Sequence, residues 1–495
     1  MALKKISIDP ITRLEGHGRI DLFLAEDGTL ADCCLVIPEL RGFESFLVGR
    51  PIEEAARITS RICGVCPEAH HTAAAKAADD LYGVTPPITA QLIRRLHYNA
   101  FAAGDHATQF FALGGPDFVV GPAAPKSERN LIGVIKKVGA EIGAKVIAAR
   151  KMAHEVSEML GGRRVHPVGM IPGGVSKAVN KEQQERLIEI GQQLVEFATF
   201  SHKLFVKIVL QNKGYMQMLQ DSAFSQPSRY MGLVNEHNEP DYYDGEIRVI
   251  DSQGVETTRF PASDYLNHIT ERTAPHSYLK YPYLKAYGWN GIAGGPQSGI
   301  YRVGPLAMLN VAKKMQTPKA QRAFEQFFAT LGKGPVHATL AFHWARIIAL
   351  IQNAELVYRY AQDERLTDDD VRHIPGRPKA EGVGVVEAPR GILIHHYWCD
   401  EKGLIERANL IVGTGHNHAA IASSIHQVAA SLLKANPQVT EPLLNIIEMA
   451  FRAYDPCFAC ATHAMPGRMP LKVRIFSPDG QLERTLQRSR SGDVK

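Results

Sequence analysis

RICGVCPEAHH at 61–71 and DPCFACATH at 455–463 each place two cysteines three positions apart. The four cysteines are Cys63, Cys66, Cys457 and Cys460. A CxxC pair at a turn or helix start points both sulfurs at one centre, and two pairs supply four thiolates, a complete ligand set for a thiophilic metal. The sequence therefore predicts a metal centre that joins the two ends of a large chain.

Other interpretations of the two pairs remain open on spacing alone. Structural zinc sites usually close their pairs over roughly 15 to 20 residues, whereas these pairs lie near opposite ends of the chain. Thioredoxin-like chemistry needs a βαβ context, and the surroundings of both pairs are typical of helices. Because a thiolate can bridge two metals, a binuclear centre is also possible. The pattern favours a functional metal centre and does not identify the metal.

The composition is that of an ordinary globular protein. The 495 residues are 45% hydrophobic and 22% charged, which argues against disorder and coiled-coil rods. The formal net charge of +5 is far from the dense basic surface that nucleic-acid binding needs, so no nucleic-acid partner is predicted. No window reaches about 18 uncharged apolar residues, so we expect no membrane span.

Hydrophobic spacing predicts a mainly α fold, with a large helical bundle core and small peripheral β-sheets. Short alternating runs predict an N-terminal sheet within about 1–40 and sheet insertions at about 222–305 and 382–414. Residues 1–463 are expected to form one large unit, and the tail 464–495 contains a hairpin pattern around Ser-Pro-Asp-Gly. Apolar residues at helical spacing cover 51–82, 89–113, 126–160, 181–219, 318–331, 336–363, 416–434 and 441–454.

An ordered set of motifs resembles the large, catalytic subunit of [NiFe] hydrogenases. Besides the cysteine motifs, the set comprises DPITRLEGH at 9–17, RGFE at 41–44, GDH at 104–106 and EAPRG at 387–391. The stretches GGPDF, YRVGPLA and CATHAMPGRMPL look most like the cytosolic methyl-viologen-reducing type associated with heterodisulfide reductase, with the NAD-reducing type as close competitor. The resemblance implies the [NiFe] hydrogenase large-subunit fold, reversible heterolytic cleavage of H2 into protons and electrons, and a cytoplasmic location.

The resemblance also implies the ligand roles of the four cysteines. It makes Cys63 and Cys457 terminal ligands of nickel, and Cys66 and Cys460 bridges to an iron that carries CO and two cyanides, a Ni-Fe(CO)(CN)2 centre. Dihydrogen is a very weak acid, so a Lewis acid must polarise it while a nearby base takes the proton. A terminal thiolate such as Cys457 is suited to be that base.

Further site residues come from the resemblance alone. Glu15 corresponds to the first proton acceptor beyond the cysteine, Arg390 to the residue that overhangs the open metal site, and Pro389 to a cofactor-binding residue. By local sequence, Glu15 and Arg390 would instead be read as exposed charges. Four more positions match the family: Asp105 and Asp455 around Arg390, His70 at a bridging sulfur and Thr414 at a cyanide.

A second metal and a processing event are implied too. Glu44, His463 and the carbonyl of Leu410 match a buried magnesium site, which holds iron in some members. In the family an endopeptidase cuts after the last histidine of the second motif once nickel is bound. We therefore expect 464–495 to be a propeptide that maturation removes.

The remaining cysteines indicate that electrons leave through another chain. Cys33, Cys34 and Cys399 are too few for an iron–sulfur cluster, which takes about four cysteine ligands, so none is expected here. The implied partners are a small subunit with iron–sulfur clusters and further electron-transfer subunits: a [2Fe–2S] subunit with heterodisulfide reductase, or a flavin-containing diaphorase. The alternatives are a zinc-stapled structural protein and a nickel-free hydrogenase-like subunit of a respiratory complex. Homologues of the latter kind lack the four cysteines.

Overall fold

The computed structural model describes residues 3–435, 438–462, 472–477, 479 and 481–487. The α-helices of these residues are α1 Phe43–Leu47, α2 Ile52–Thr59, α3 Pro67–Tyr82, α4 Ile88–Thr108, α5 Gly115–Val119, α6 Leu131–Val138, α7 Ala140–Gly161, α8 Lys181–Phe205, α9 Lys213–Gln220, α10 Tyr265–His268, α11 Pro305–Val311, α12 Pro318–Leu331, α13 Phe342–Ala361, α14 Gly413–Ala435, α15 Glu441–Arg452 and α16 Phe458–Ala461.

Helix α13 lies at the centre of the bundle. It packs against both α8 and α4, and α4 packs against α7. Most of α13 is buried on every side, including Trp344 and Leu350, as expected for a helix that is apolar all round. Among the described residues, no helix is long and apolar enough to cross a membrane.

Three stretches predicted as continuous helices are interrupted, and one of them, 181–219, breaks at Gln211 and Asn212 before α9 begins at Lys213. In 51–82 the chain leaves the helix after Ile62 and resumes at Pro67, so Cys63 is extended and Cys66 is the N-cap residue of α3. Proline at the first helical position has no N–H to leave unpaired and favours this start. In 126–160, Gly139 adopts φ 97° and separates α6 from α7, a conformation that glycine adopts readily.

The strands form small sheets around the bundle. They are β1 Lys4–Ile8, β2 Arg19–Leu24, β3 Leu30–Val36, β4 Met170–Ile171, β5 Gly174–Val175, β6 Arg229–Val234, β7 Glu246–Ile250, β8 Glu256–Phe260, β9 Ile269–Ala274, β10 Ser277–Leu284, β11 Tyr301–Arg302, β12 Glu381–Ala388, β13 Gly391–Cys399, β14 Ile405–Ile411, β15 Lys472–Phe476 and β16 Leu482–Gln487. The sheet orders are β1-β2-β3, β11-β6-β7-β8 and β12-β13-β14, with pairs β4–β5, β9–β10 and β15–β16. A mainly helical core with small peripheral sheets is therefore confirmed.

The β12-β13-β14 sheet positions part of the site. It lies on α3 so closely that a Cβ on Gly384 would stand 2.0 Å from the carbonyl oxygen of Ala73. Ala388 pairs with Gly391, so Pro389 and Arg390 form the turn between β12 and β13. The sheet thus supports the helix that begins at Cys66 and presents Arg390 from its edge.

Candidate metal centre

The two cysteine pairs meet although they lie at opposite ends of the chain. The four sulfurs are buried and lie within 4.8 Å of one another. Cys63 Sγ is 3.5 Å from Cys457 Sγ, and Cys66 Sγ is 3.2 Å from Cys460 Sγ. Cys457 Sγ and Cys460 Sγ are 2.7 Å apart. The predicted grouping of the four cysteines is therefore present in the structure.

This donor set fits a thiophilic metal. Four buried thiolates at such distances repel one another unless a cation compensates their charge. The hydrogen bond shared with Cys457 lowers the pKa of the Cys63 thiol well below its usual range. The backbone N–H groups of Val65 and Cys66 also donate to Cys63 Sγ, each at 3.2 Å. Burial raises the pKa of the Cys457 and Cys460 thiols, so they lose their protons readily only when a metal binds.

The N-terminal motif lies directly against the second cysteine motif. Glu15 and Cys457 form an isolated parallel bridge, and Phe458 N donates to Glu15 O at 3.0 Å. Cys457 Sγ donates to Glu15 Oε2 at 2.9 Å, and Ala459 N donates to the same oxygen at 3.2 Å. Burial, followed by the negative charge of Cys63, raises the pKa of Glu15. A carboxyl that holds a proton readily therefore contacts a sulfur of the centre.

Arg390 is held by two carboxylates beside the sulfurs. Its Nη1 and Nη2 donate to the two oxygens of Asp105 at 2.9 and 3.1 Å. Its Nε donates to Asp455 O at 2.9 Å, and Nη2 lies 2.9 Å from Asp455 Oδ2. Burial lowers the pKa of Arg390, but Asp105 and Asp455 outweigh it and raise this pKa well above its usual range. Arg390 is thus a buried, fixed cation, not the exposed charge that its local sequence indicates.

A second arginine of this cluster was not predicted from the sequence. Arg346 of α13 is fully buried, and its Nη1 donates to Pro389 O at 3.0 Å and lies 3.4 Å from Asp455 Oδ2. Two arginines therefore face two carboxylates, which balances the buried charge. The available signal was an arginine inside an otherwise apolar helix, since such a residue is fully buried only when it is paired.

Thr414 and His70 both lie close to the cysteine pairs. Thr414 contacts the second pair from another helix, and His70 follows the first pair on α3. Thr414, at the start of α14, accepts a hydrogen bond from Cys457 N at 2.9 Å. His70 lies one helical turn after Cys66, and its Nδ1 shares a 3.1 Å hydrogen bond with His395 Nε2. His395 Nδ1 in turn lies 2.7 Å from the hydroxyl of Tyr397. This extension from β13 was not predicted from the sequence, although the run of polar rings at 395–397 could have indicated it.

Two of the three residues expected at the second metal are adjacent. Glu44 Oε1 of α1 accepts a hydrogen bond from Leu410 N of β14 at 2.9 Å. His463 lies outside the described residues. The observed contact therefore joins two members of the expected ligand set.

A cavity of about 240 Å³ adjoins the centre. Glu15, Arg390 and Glu68 line its inner part, and the exposed Arg150 and Arg164 line its outer part. Glu68 accepts a hydrogen bond from Ser157 Oγ at 2.9 Å, and burial raises its pKa to about 7. The cavity therefore extends from the residues beside the sulfurs to the protein surface.

Such a site defines a metalloenzyme that handles protons and electrons. The family model described as nickel-dependent hydrogenase matches residues 41–130 and 230–463, and a HoxL-like model matches 5–40. The chain belongs to the nickel-dependent hydrogenase family. It is therefore an oxidoreductase, the catalytic subunit that activates H2, and its four-cysteine group is consistent with a nickel–iron centre.

Relatives agree on the branch. The chain is 45% identical over 485 residues to an F420-non-reducing hydrogenase iron-sulfur subunit of Archaeoglobus profundus, covering 98% of this chain and 100% of that protein. It is 38% identical over 496 residues to the NAD-reducing hydrogenase HoxS subunit beta of Cupriavidus necator, covering 97% and 98%. A crystal structure of an NAD⁺-reducing [NiFe]-hydrogenase matches with a TM-score of 0.87 at 36% identity, over 94% of this chain and all of that one. The predicted family, branch and large-subunit fold are confirmed.

Proposed function

We propose that the four cysteines hold a binuclear Ni-Fe(CO)(CN)2 centre. Cys63 and Cys457 bind nickel terminally, and Cys66 and Cys460 bridge to iron. The close grouping of the sulfurs, all within 4.8 Å, is the observation that carries this proposal. When bound, nickel supplies the Lewis acid that polarises H2.

In the first step of the proton route, a proton passes from Cys457 to Glu15. A proton held at Cys457 Sγ is within hydrogen-bond reach of Glu15 Oε2 at 2.9 Å. Because burial makes the charged form of Glu15 less stable, this carboxyl accepts a proton more readily than an exposed glutamate does.

Arg390 supplies a fixed positive charge over the sulfurs. Asp105, Asp455 and Arg346 hold the guanidinium and the Pro389 carbonyl, so little reorganisation is needed when charge changes at the centre. In the same proposal Pro389 contributes to cofactor binding, Thr414 hydrogen-bonds a cyanide, and His70 hydrogen-bonds a bridging sulfur.

A second metal, Mg²⁺ or Fe²⁺, is proposed at Glu44, Leu410 and His463, together with removal of 464–495 by a maturation endopeptidase. The Glu44 to Leu410 contact supports the site. Intact-mass measurement of the active protein tests the cleavage. A mass that ends at His463 supports it, and a fully active chain that still ends at Lys495 refutes it.

Electrons leave through partner chains in this proposal. A small subunit with iron–sulfur clusters docks on the catalytic subunit in the cytoplasm and passes electrons to a [2Fe–2S] subunit with heterodisulfide reductase, or to a flavin-containing diaphorase. Co-purification from the native organism tests this, since a fully active chain isolated without any iron–sulfur partner contradicts it.

Metal analysis combined with a hydrogen-uptake assay tests the centre itself. We expect one nickel and one iron at the cysteine centre per chain, no stoichiometric zinc, and H2-dependent reduction of methyl viologen by the purified complex. A chain that holds zinc alone and does not consume H2 would contradict the proposal and support a structural zinc site.

A further inference from the structure

A second buried ion cluster is organised by Asp117 of α5. Arg13 Nη2 donates to Asp117 Oδ1 at 2.6 Å. Arg452, the last residue of α15, donates from Nη1 to Asp117 Oδ2. The side chain of Asp117 is only 2% exposed. One buried carboxylate therefore divides its two oxygens between two arginines.

The rest of the cluster completes the charge balance. Arg452 Nη2 donates to Glu448 Oε2 at 2.5 Å, and Thr12 Oγ1 donates to the same glutamate oxygen at 3.1 Å. Two arginines thus face two carboxylates. The nearby Arg390 cluster contains other residues, so this is a separate unit.

The two arginines belong to the two segments that form the proton-transfer contact. Arg13 stands two positions before Glu15, and Arg452 stands five positions before Cys457. Arg13 also adopts φ 59°, a left-handed conformation that a non-glycine residue keeps only when its surroundings hold it. Its Nη1 donates to Leu113 O at 3.0 Å, which adds to that hold.

We propose that Asp117 is a positioning residue that holds Glu15 against Cys457. It acts through Arg13 on one segment and through Arg452 on the other, which fixes the separation of Glu15 Oε2 from Cys457 Sγ. This inference depends on the proposed proton route. A carboxylate suits the role because each of its two oxygens accepts a charged hydrogen bond from a different guanidinium.

Asp117→Asn tests the role with almost no change in shape. We expect nickel and iron per chain to match the wild type, kcat for H2 oxidation to fall about 10- to 100-fold, and KM for H2 to stay unchanged, because small misplacements of reacting groups act on turnover. The infrared C=O band of protonated Glu15, identified by its absence in Glu15→Gln, moves to higher wavenumber as the bond to Cys457 lengthens.

Asp79→Asn is the matched control. Asp79 also pairs with a buried arginine, Arg94, which donates further to the backbone oxygens of Ile171 and Gly174 and to the hydroxyl of Tyr243, and not to the centre. We expect it to lower the unfolding temperature while kcat and the Glu15 band stay as in the wild type. An Asp117→Asn protein with wild-type kcat and band, or an Asp79→Asn protein with the same changes, overturns the inference.

Arg13→Lys covers the case in which Asp117→Asn does not fold. Lysine keeps the positive charge and loses the forked geometry, so the same fall in kcat and the same band shift are expected. Wild-type values in this variant overturn the inference. Because the infrared band is recorded with and without metal, a chain that binds no nickel refutes the proposed function while the Asp117 contact is still tested.

Discussion

In the proposed proton route, Glu15 is the carboxyl that accepts the proton from Cys457. Glu15→Gln keeps the shape and the bond from Ala459 N, but an amide does not carry a proton between donor and acceptor. We expect unchanged nickel content and a fall in H2 turnover of about 10²- to 10⁴-fold, measured as viologen reduction per nickel. Glu39→Gln, at a carboxyl that pairs with His17, is the control and should keep normal turnover. Near-normal turnover in Glu15→Gln would refute the role.

His418 of α14 is expected to make the free energy of unfolding fall as the pH falls. It is buried, its ring stacks on Tyr281 at 3.9 Å, and burial lowers its pKa to about 3. Between pH 3 and 6.5 the unfolded chain therefore binds a proton that the native chain does not, so the stability contribution is complete above pH 6.5 and is lost as pH falls.

His418→Gln should accordingly reduce the acid sensitivity of the protein. The free energy of unfolding, measured in urea at several pH values, should depend on pH less steeply by at most about 1.4 kcal/mol per pH unit between pH 4 and 6. Above pH 8, the free energy of unfolding should change with pH to the same extent in the wild type and in the variant. Equal slopes at acidic pH would contradict the prediction.

The sequence predicted the metal-binding residues better than it predicted the residues that hold the site in place. CxxC spacing identified the four sulfurs directly, and the motif resemblance added Glu15 and Arg390. Arg346 and Asp117 were missed because each supports the site only through contacts between residues distant in sequence. Nothing in the local pattern around Asp117 indicates that two arginines more than 400 positions apart will share its carboxylate.

Gly384 sets how closely the β12 strand approaches helix α3. Gly384→Ala would place a methyl group 2.0 Å from Ala73 O and 2.5 Å from Ala77 N, both of which are backbone atoms that do not move aside easily. We expect a loss of about 1–3 kcal/mol in the free energy of unfolding, with reduced nickel retention because α3 begins at Cys66. Gly334→Ala, where a Cβ meets nothing within 4 Å, is the control for urea unfolding. Equal stability of the two variants would contradict the close approach.

The sequence predicted which segments form helices and which form strands. It predicted less well where a helix is interrupted. Apolar spacing continues through Ile62 and Val65, so periodicity alone merged α2 and α3 into one helix. Pro67 could have indicated that one helix ends and another begins, since proline favours the first position of a new helix. The break matters because it leaves Cys63 extended and Cys66 at a helix start.

For the whole molecule, metal binding is expected to contribute to stability. A ligand that binds only the folded state at 1,000 times its Kd adds about 4.1 kcal/mol, so the nickel-loaded chain should unfold at a higher temperature than the metal-free chain. Cys457→Ser should abolish stable nickel binding and this stabilisation. Cys399→Ser, at a buried cysteine outside the centre, should keep both. Scanning calorimetry and metal analysis measure the two effects, and nickel retention in Cys457→Ser would contradict the ligand role.

The overall architecture followed from sequence because its signals are long. Helical spacing over 336–363 predicted the central helix, and alternating runs near 382–414 predicted the sheet that carries Arg390. The sequence did not predict which faces of the helices and sheets pack together, since this packing depends on shape complementarity across the whole core. The motif resemblance therefore supplied what periodicity could not.

Cys66 and Cys460 lie 394 positions apart and yet their sulfurs are in contact. During synthesis at about 5–20 residues per second, the first pair waits roughly 20 to 80 s for the second. Throughout that interval a nascent chain offers two thiols without their partners, open to oxidation or to the wrong metal. The order of events is therefore set by chain connectivity: nickel can be enclosed by all four sulfurs only after almost the entire polypeptide has left the ribosome.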